Sequence, residues 1–270
     1  MGRRRRLDAE LVRRGLARSR EQAAALVKEG RVRVAGGVAI KPATQIDPAV
    51  AIVVATDGDD PGYASRGGFK LAGALAHFAG TSPSLRVEGR RCLDAGASTG
   101  GFTDVLLRNG AQSVVAVDVG YGQLAWPLQT DSRVTVLDRT NIRKLNPAQV
   151  APAPSLVVGD LSFISLRLVL PALVTCAQPG ADLLLMVKPQ FEVGRERLGA
   201  GGVVRDPVHR AGAVLSVAHA GADLGLGVHG VVASTLPGPS GNVEYFVWLA
   251  AGAPPVREAD VLDAVERGPA

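Results

Sequence analysis

Long apolar runs are missing from this chain of 270 residues. Nothing in it approaches the roughly 20 consecutive apolar residues that a membrane-spanning helix needs. Residues 1–7, MGRRRRL, also lack the apolar centre of a signal peptide, so we expect a cytosolic protein. The two cysteines, Cys92 and Cys176, lie in apolar surroundings on separate predicted elements, which favours buried thiols over a disulfide or a metal pair. The four histidines form no ligand spacing, and we predict no metal site.

Aromatic residues are scarce at 4%, but 47% of the residues are hydrophobic, which is enough for one full core and a small extra domain. The formal charge of +5 is unevenly spread. Residues 1–55 hold twelve basic and five acidic residues, net +7, and the remaining eighteen basic and twenty acidic residues give −2. A basic N-terminal part favours a polyanion, of which RNA or DNA is the commonest, while an acidic membrane surface is the alternative.

The fingerprint of a dinucleotide site is also absent. After the apolar run 91–95 the glycines fall at Gly96, Gly100 and Gly101, whereas nicotinamide-dependent oxidoreductases hold a pyrophosphate with G-x-G-x-x-G. Asp94-x-Gly96-x-x-x-Gly100 instead resembles the first motif of methyltransferases that use S-adenosylmethionine (SAM). The next strand-like run ends about 20 residues later at Asp118, where this topology offers an acceptor to ribose hydroxyls. Together the two motifs favour a SAM site over an ordinary strand-to-helix turn.

Strand-like runs near 91–95, 113–118, 133–138, 155–160, 182–188 and 243–250 alternate with helix-like stretches. This pattern predicts a Rossmann-like α/β domain with a doubly wound, mostly parallel sheet. Ligands of such sheets bind beyond the carboxyl ends of the strands. We therefore predict that SAM is held by Asp94, Gly96, Ala97, Ser98, Thr99, Gly100, Gly101, Asp118, Val119, Asp138, Arg139 and Asp160.

Residues 7–17 and the stretch after Ser19 predict two short helices, and 31–40 predicts a hairpin around Gly36-Gly37. LDAELV at 7–12, RSREQA at 18–23 and VRVAGG at 32–37 resemble the S4 RNA-binding domain. The resemblance implies a small α+β domain that docks structured RNA by charge and shape. We predict an S4 domain at 1–55, a linker at 56–64 and the methyltransferase domain at 65–270. The candidate RNA contacts are Arg4, Arg6, Arg18, Arg20, Lys41, Arg66, Arg195 and Arg197.

Lysine is rare, since only five of the thirty basic residues are lysine. Arginine stays protonated in proteins whereas a desolvated lysine can lose its proton, so a lysine kept at a site edge suggests proton chemistry. Lys70 lies near the start of the predicted helix 67–79, and Lys188 ends an apolar strand. Both are also ordinary places for a lysine whose ammonium reaches water, and composition does not separate the two interpretations.

Four further motifs are similar to the TlyA family of rRNA methyltransferases, which belongs with the FtsJ-like 2′-O-methyltransferases. They are SRGGFKL at 65–71, GDLSFIS at 159–165, VKPQFE at 187–192 and SGNVEYF at 240–246. Carried onto this sequence, the family's catalytic tetrad is Lys70, Asp160, Lys188 and Glu244, with Lys188 our choice for the base. Phe69 stands where a relative carries His, a change that should alter packing rather than chemistry.

The resemblance implies SAM-dependent 2′-O-methylation of cytidine in ribosomal RNA, in both the small (16S) and the large (23S) subunit. Its partners would then be ribosomal RNA and ribosomal subunits, and we favour a monomer. Arg195 and Arg197 lie in a segment rich in Pro and Gly, 189–202, which we expect to close over an extruded target nucleotide. The alternatives are a non-catalytic RNA-binding protein and a membrane-active haemolysin, a label that the family also carries.

Overall fold

The computed structural model describes residues 4–54, 61–238 and 241–268, and for Arg195 the backbone but not the side chain. It divides into two compact units, Met1–Gly62 and Tyr63–Ala270. The predicted linker, 56–64, lies partly outside the described residues, and the domain limits drawn from the sequence stay predictions.

The N-terminal unit is a small α+β fold with its own core. Its elements are β1 (Arg5–Arg6), α1 (Leu7–Arg13), α2 (Arg20–Lys28), β2 (Val32–Val34), β3 (Gly37–Val38), β4 (Gln45–Ile46) and β5 (Ile52–Val54). β1 pairs with β4, and β2 lies between β3 and β5 in an antiparallel sheet. Apolar residues of both helices, among them Leu7, Leu11 and Leu26, pack with Val32 and Ile46 in this core.

Two details of the predicted N-terminal elements are wrong. α1 ends at Arg13 rather than at residue 17, and the chain turns at Gly15, whose φ is +69°. In the β2–β3 hairpin Val34 pairs with Gly37, so the turn consists of Ala35 and Gly36 rather than Gly36-Gly37. Both turn residues have positive φ, 50° and 83°, as in the type I′ turn that matches the twist of a hairpin.

The second unit is a seven-stranded sheet with helices on both faces. Its strands are β6 (Arg91–Ala95), β7 (Ser113–Val117), β8 (Val134–Leu137), β9 (Leu156–Gly159), β10 (Asp182–Val187), β11 (Leu226–Ala233) and β12 (Tyr245–Ala251). The helices are α3 (Arg66–Ala79), α4 (Gly101–Arg108), α5 (Trp126–Gln129), α6 (Pro147–Val150), α7 (Leu170–Cys176), α8 (Pro189–Glu192), α9 (Pro207–Ala222) and α10 (Glu258–Glu266). No helix within the described residues is both long and apolar enough to cross a membrane.

The strand order is β11-β12-β10-β9-β6-β7-β8. The five strands from β10 to β8 are parallel, while β12 runs antiparallel to its neighbours β10 and β11. This order confirms the predicted doubly wound, mostly parallel fold. The chain winds outward in both directions from β6 and β9, so the crevice beyond their carboxyl ends is the ligand site that this topology provides.

Alternate residues of each central strand serve the two faces of the sheet. Leu93 and Val115 pack with α7, α9 and α10 on one face, and Cys92 and Val114 pack with α3 and α4 on the other. The parallel strands are therefore mainly apolar, as expected for a sheet covered on both sides, and Asp94 in β6 is the buried exception. Both cysteines are buried and free, as the sequence indicates.

β11 is absent from the predicted strands, although it forms an edge of the sheet. Gly227 and Gly230 interrupt its apolar pattern, and its register shifts between Val228 and Gly230. A Cβ at Gly230 would lie 2.7 Å from the Phe78 ring, and one at Gly227 would overlap the Ala253 carbonyl. Close packing thus requires the glycines that make the strand hard to recognise.

Candidate active site and RNA-binding surface

The glycine turn after β6 leads into α4 and packs tightly against its neighbours. The Gly96 amide donates to the Val117 carbonyl at 2.9 Å. Gly96 has a φ of +86°, and a Cβ there would lie 2.6 Å from the carbonyl oxygen of Asp160. Gly100, with a φ of +97°, leaves no room for a Cβ beside Leu128. Both positions combine a left-handed backbone with a close approach, and only glycine meets both requirements.

The carboxylates at the ends of β7 and β8 hold the loops around this turn. Asp118 accepts from the Ser98 amide at 2.8 Å and from the Gly120 amide at 2.7 Å. Asp138 accepts from the Gly122 amide at 2.8 Å. A carboxylate has about four acceptor sites, so both retain capacity for further donors while they fix the backbone of the site.

Asp94, in β6, is fully buried below α4. The Thr103 hydroxyl donates to Asp94 Oδ2 at 2.6 Å, and Oδ1 has no hydrogen-bond partner among the described residues. Burial raises the pKa of Asp94 to about 7, against the Thr103 hydrogen bond, which lowers it. A buried acceptor without a donor is unusual, and it marks this place as one where a ligand's donor fits.

A cleft of about 90 Å³ lies between the glycine turn and the start of α3. Five of the predicted cofactor residues line it: Gly96, Ala97, Ser98, Gly101 and Asp160. Ser65, Gly67 and Phe102 complete the lining. A Cβ at Gly101 would lie 2.8 Å from the Gly68 amide nitrogen, so the N-terminal ends of α3 and α4 approach closely here. Thr99 is exposed beside the cleft, Gly100 packs below it, and Val119 is 74% exposed on the following loop.

The four tetrad residues form two ion pairs. Lys70 Nζ lies 2.5 Å from Glu244 Oε2, and Lys188 Nζ lies 2.6 Å from Asp160 Oδ1. Lys188 also donates to Ser162 Oγ at 2.9 Å. The side chains of Lys70 and Glu244 are 8% and 0% exposed, whereas those of Lys188 and Asp160 are 10% and 23% exposed.

The two pairs lie on elements that meet at the cleft. Asp160 Oδ2 is 3.6 Å from the place of a Cβ on Gly67, and Gly67 is in the turn of α3 that precedes Lys70. Each lysine thus contacts one carboxylate of the tetrad. Each lysine lies at the end of an element, and this position predicted a place at the edge of the site. It did not show which carboxylate the lysine contacts, because the carboxylates lie far along the chain.

Sequence reasoning missed Phe163 as a functional residue. It follows Ser162, is 91% exposed and has a φ of +63°, which is rare for a side chain of this size. Its ring lies 5.2 Å from that of Phe191. An exposed aromatic ring on a strained backbone beside Lys188 is an arrangement that structure alone reveals.

The segment 189–202, predicted as a loop, is largely built of short helical turns. α8 is followed by turns of 3-10 helix at Arg195–Arg197 and Ala200–Gly202. The Asn242 amide fixes its end by donating to the Gly202 carbonyl at 3.0 Å and accepting from the Val204 amide at 2.9 Å. Arg66 and Arg197 are exposed, and the side chain of Arg195 lies outside the described residues.

The predicted RNA contacts of the N-terminal unit are exposed arginines and a lysine: Arg4, Arg6, Arg18, Arg20 and Lys41. Asp8, only 4% exposed, organises two of them. Arg6 donates to both of its carboxylate oxygens, at 3.1 and 2.7 Å, and Arg20 donates to Oδ2 at 3.2 Å. The Arg6 hydrogen bonds lower the pKa of Asp8 to about 2. Two guanidinium groups are thereby held in fixed positions with N–H groups left for an anion.

These features define a SAM-dependent methyltransferase. They are the strand order, a glycine turn without a pyrophosphate fingerprint and the two lysine–carboxylate pairs. The sequence matches the FtsJ-like methyltransferase family over residues 63–251 and the S4 domain over residues 5–52. The chain belongs to the FtsJ-like methyltransferases, within the TlyA family. The family predicted from the motifs is thus confirmed.

Named relatives cover nearly the whole chain. The 16S/23S rRNA (cytidine-2′-O)-methyltransferase TlyA of Mycobacterium tuberculosis H37Rv is 60% identical over 249 residues, 92% of this chain and 91% of the relative. YqxC of Bacillus subtilis, a candidate rRNA methyltransferase, is 43% identical over 90% of this chain and 85% of its own length. The structure of a candidate hemolysin from Streptococcus thermophilus is similar with a TM-score of 0.77 and 38% identity, over 98% of this chain and 95% of that one.

SAM is the methyl donor of this family, and the residues present fit it. A cleft of about 90 Å³ lies beside the turn at Gly96 and Gly101, where both glycines let the backbone pack closely against its neighbours. Asp94 Oδ1, which has no hydrogen-bond partner within the described part of the chain, offers an acceptor. The cofactor predicted from the sequence is confirmed.

Proposed function

We propose that this protein transfers a methyl group from SAM to the ribose 2′-oxygen of cytidine in ribosomal RNA, in both the 16S and the 23S molecules. The observation that carries the proposal is the pair of lysine–carboxylate contacts beside the cofactor cleft. The name of the Mycobacterium tuberculosis relative, 60% identical to this chain, supports the choice of nucleotide and of both subunits.

A ribose 2′-hydroxyl is a weak nucleophile, and its proton must leave as the oxygen attacks. SAM bound in the cleft supplies a methyl group on a positively charged sulfur. Lys188 is the residue we assign to take the proton, because its partner Asp160 lines the cleft. The Lys188–Asp160 pair is also the more exposed of the two pairs, so RNA reaches it more readily.

The other three tetrad residues support this transfer. Asp160 stabilises the positive charge that Lys188 gains when it accepts the proton. Lys70, ion-paired to Glu244 at 2.5 Å, orients the ribose with its remaining N–H donors. Glu244 holds Lys70 in place and offsets its charge. We propose that the cofactor is held by the twelve residues predicted for it, with Asp118 and Asp138 at the strand ends next to the turn.

We propose two kinds of RNA contact, one to the phosphates of the RNA backbone and one to a base. We assign phosphate contacts to the residues predicted for them: Arg4, Arg6, Arg18, Arg20, Lys41, Arg66, Arg195 and Arg197. A duplex hides its ribose groups from a deep cleft, so the target nucleotide is extruded. Phe163, exposed beside Ser162, offers its ring to a base, since base–aromatic stacking is a common way to hold an unpaired nucleotide.

Its substrate places the protein in the cytoplasm, where ribosomal subunits are assembled, and we propose that it acts as a monomer.

The test uses purified protein, radiolabelled SAM and separated ribosomal subunits that lack the modification. We expect label on cytidine 2′-O-methyl groups in both rRNAs, and loss of turnover in Lys188→Ala. Lys144→Ala is the matched control, because Lys144 is exposed in a turn of 3-10 helix at Ile142–Lys144, after β8. If Lys188→Ala binds SAM and RNA and still turns over normally, Lys188 is not the base.

The same experiment addresses the competing functions. SAM binding without label on RNA points to another substrate or to a binding role. The hemolysin description of the similar Streptococcus thermophilus structure makes membrane activity the second candidate. Binding to anionic vesicles that does not depend on SAM, together with unlabelled subunits, would favour it.

A further inference from the structure

Two segments follow the ends of β9 and β10, and a row of contacts joins them. Lys188 donates to Ser162 Oγ at 2.9 Å, and the rings of Phe163 and Phe191 lie 5.2 Å apart. One helical turn beyond Lys188, Glu192 reaches the same neighbouring segment. Lys188 and Phe163 have roles in the proposed function, whereas Glu192 has none.

Glu192 accepts from three successive residues of that segment. The Ser165 hydroxyl donates to Oε2 at 2.5 Å, and the Leu166 amide donates to Oε1 at 2.7 Å. Arg167 Nε lies 3.4 Å from Oε2. The Glu192 side chain is only 1% exposed, and its burial raises its pKa, against the donors that lower it. A carboxylate this deeply buried is retained where its donors satisfy it.

A rigid turn connects Glu192 to the catalytic lysine. α8 begins directly after Lys188. The Phe191 amide donates to the Lys188 carbonyl at 2.9 Å, and the Val193 amide donates to the Pro189 carbonyl at 3.0 Å. A displacement of one end of such a short turn therefore moves the other end.

The facing segment contains the strained residue Phe163, whose φ is +63°. A backbone of this kind persists only where its surroundings hold it. Ser162, before Phe163, is held by Lys188, and Ser165, after it, is held by Glu192. The strained residue is thus fixed from both sides by α8 and the lysine that precedes it.

We propose that Glu192 is a positioning residue for methyl transfer: it fixes the segment 160–165 against the turn that follows Lys188. Asp160 and Ser162 then keep their contacts with Lys188, and Phe163 keeps its exposed position. The proposal rests on the proposed function, because it assigns Glu192 to the geometry of that reaction. Glu192 does not line the cleft, so it acts through its neighbours.

The test compares Glu192→Ala and Glu192→Gln with wild type in kcat, SAM affinity and amide hydrogen exchange. We expect Glu192→Ala to lower kcat about 10- to 100-fold, because small displacements of reacting groups have effects of this size. Its Kd for SAM should change much less than kcat, because Asp160 is one of twelve residues proposed to hold SAM, and this difference separates a loss in the reaction from a loss in binding. Amide exchange should accelerate in 163–167, where the Leu166 amide loses its acceptor.

Glu192→Gln retains an oxygen for the Leu166 amide and should recover most of the kcat. Glu196→Ala is the matched control, since it removes a carboxylate of the same segment whose side chain is 72% exposed, and it should behave as wild type.

A wild-type kcat in Glu192→Ala would overturn the proposal. So would parallel losses of melting temperature, SAM binding and kcat that Glu192→Gln does not rescue, because these indicate a merely structural role. Exchange is measured without RNA. A wild-type protein that methylates no ribose therefore refutes the proposed function, and the exchange data still decide whether Glu192 holds the segment.

Discussion

Removing Lys70 should destabilise the catalytic unit far more than removing Lys188. Lys70→Met leaves Glu244, which is fully buried, without its cation. Within the described residues Glu244 Oε1 already has no hydrogen-bond partner, so no second donor compensates. Breaking a buried ion pair by removing one partner costs about 3–5 kcal/mol. For a unit of this size, about 2–4 °C per kcal/mol, the melting temperature should fall by roughly 6–20 °C.

The second variant removes the carboxylate as well. Lys70→Met combined with Glu244→Leu replaces the pair by apolar side chains, and replacing a buried pair in this way is often neutral. We therefore expect the double variant to recover most of the lost stability while it remains inactive. Lys188→Met should cost less stability than Lys70→Met, because the side chain of its partner Asp160 is 23% exposed.

Tryptophan fluorescence is the assay for these variants. Both tryptophans of the chain, Trp126 and Trp248, lie in the catalytic unit, so their signal follows the unfolding of that unit alone. Trp248 is 2% exposed and should report the loss of packing. The reasoning is refuted if Lys70→Met lies within about 1 kcal/mol of wild type, the range of an exposed pair, or if the double variant is no more stable than the single one.

Three further predictions follow from the cofactor turn and the N-terminal unit. Gly96→Ala should weaken SAM binding at least about tenfold, as measured by calorimetry. A left-handed backbone costs alanine about 1–3 kcal/mol, and its Cβ would lie 2.6 Å from a carbonyl oxygen. An unchanged Kd for SAM would contradict this prediction. The pKa of Asp94 is raised to about 7 in the folded state, so the folded protein holds more protons than the unfolded chain and its free energy of unfolding should fall as the pH rises from about 4 to 7. Asp94→Asn should remove up to about 4 kcal/mol of that fall, as measured by urea titrations without SAM. If the unfolding free energies of the two proteins run parallel against pH, Asp94 is not the group responsible. Asp8→Ala frees the two arginines that it holds and should weaken rRNA binding about threefold or more at fixed salt, whereas a purely electrostatic surface would bind more tightly after losing an acid.

The parallel strands could be predicted because each is a continuous apolar run bounded by turn residues. Their carboxyl ends then placed Asp94, Asp118 and Asp160 at one edge, since ligands of this topology bind there. β11 escaped prediction because its glycines are required by contacts with residues far along the chain. A local pattern contains no information about such contacts.

The pairings within the tetrad could not be predicted from position either. Lys70 and Glu244 are separated by 174 residues, and their contact depends on the antiparallel β12 lying beside β10. The left-handed backbone of Phe163 is equally invisible in sequence, because nothing in its neighbours requires it. The resemblance to the family supplied the four residues and led us to expect Asp160 beside Lys188, but it did not predict that Lys70 contacts Glu244.

The charge balance of the site explains why two carboxylates accompany two lysines. In the proposed reaction one positive charge leaves the cofactor cleft and one arrives at Lys188 with the proton of the ribose hydroxyl. The total charge of the site is therefore the same before and after the reaction, and only its position changes. Asp160 lines the cleft and also contacts Lys188, so we propose that this one carboxylate stabilises the positive charge in both places. The Lys70–Glu244 pair, neutral in itself, can then orient the ribose without opposing that movement of charge.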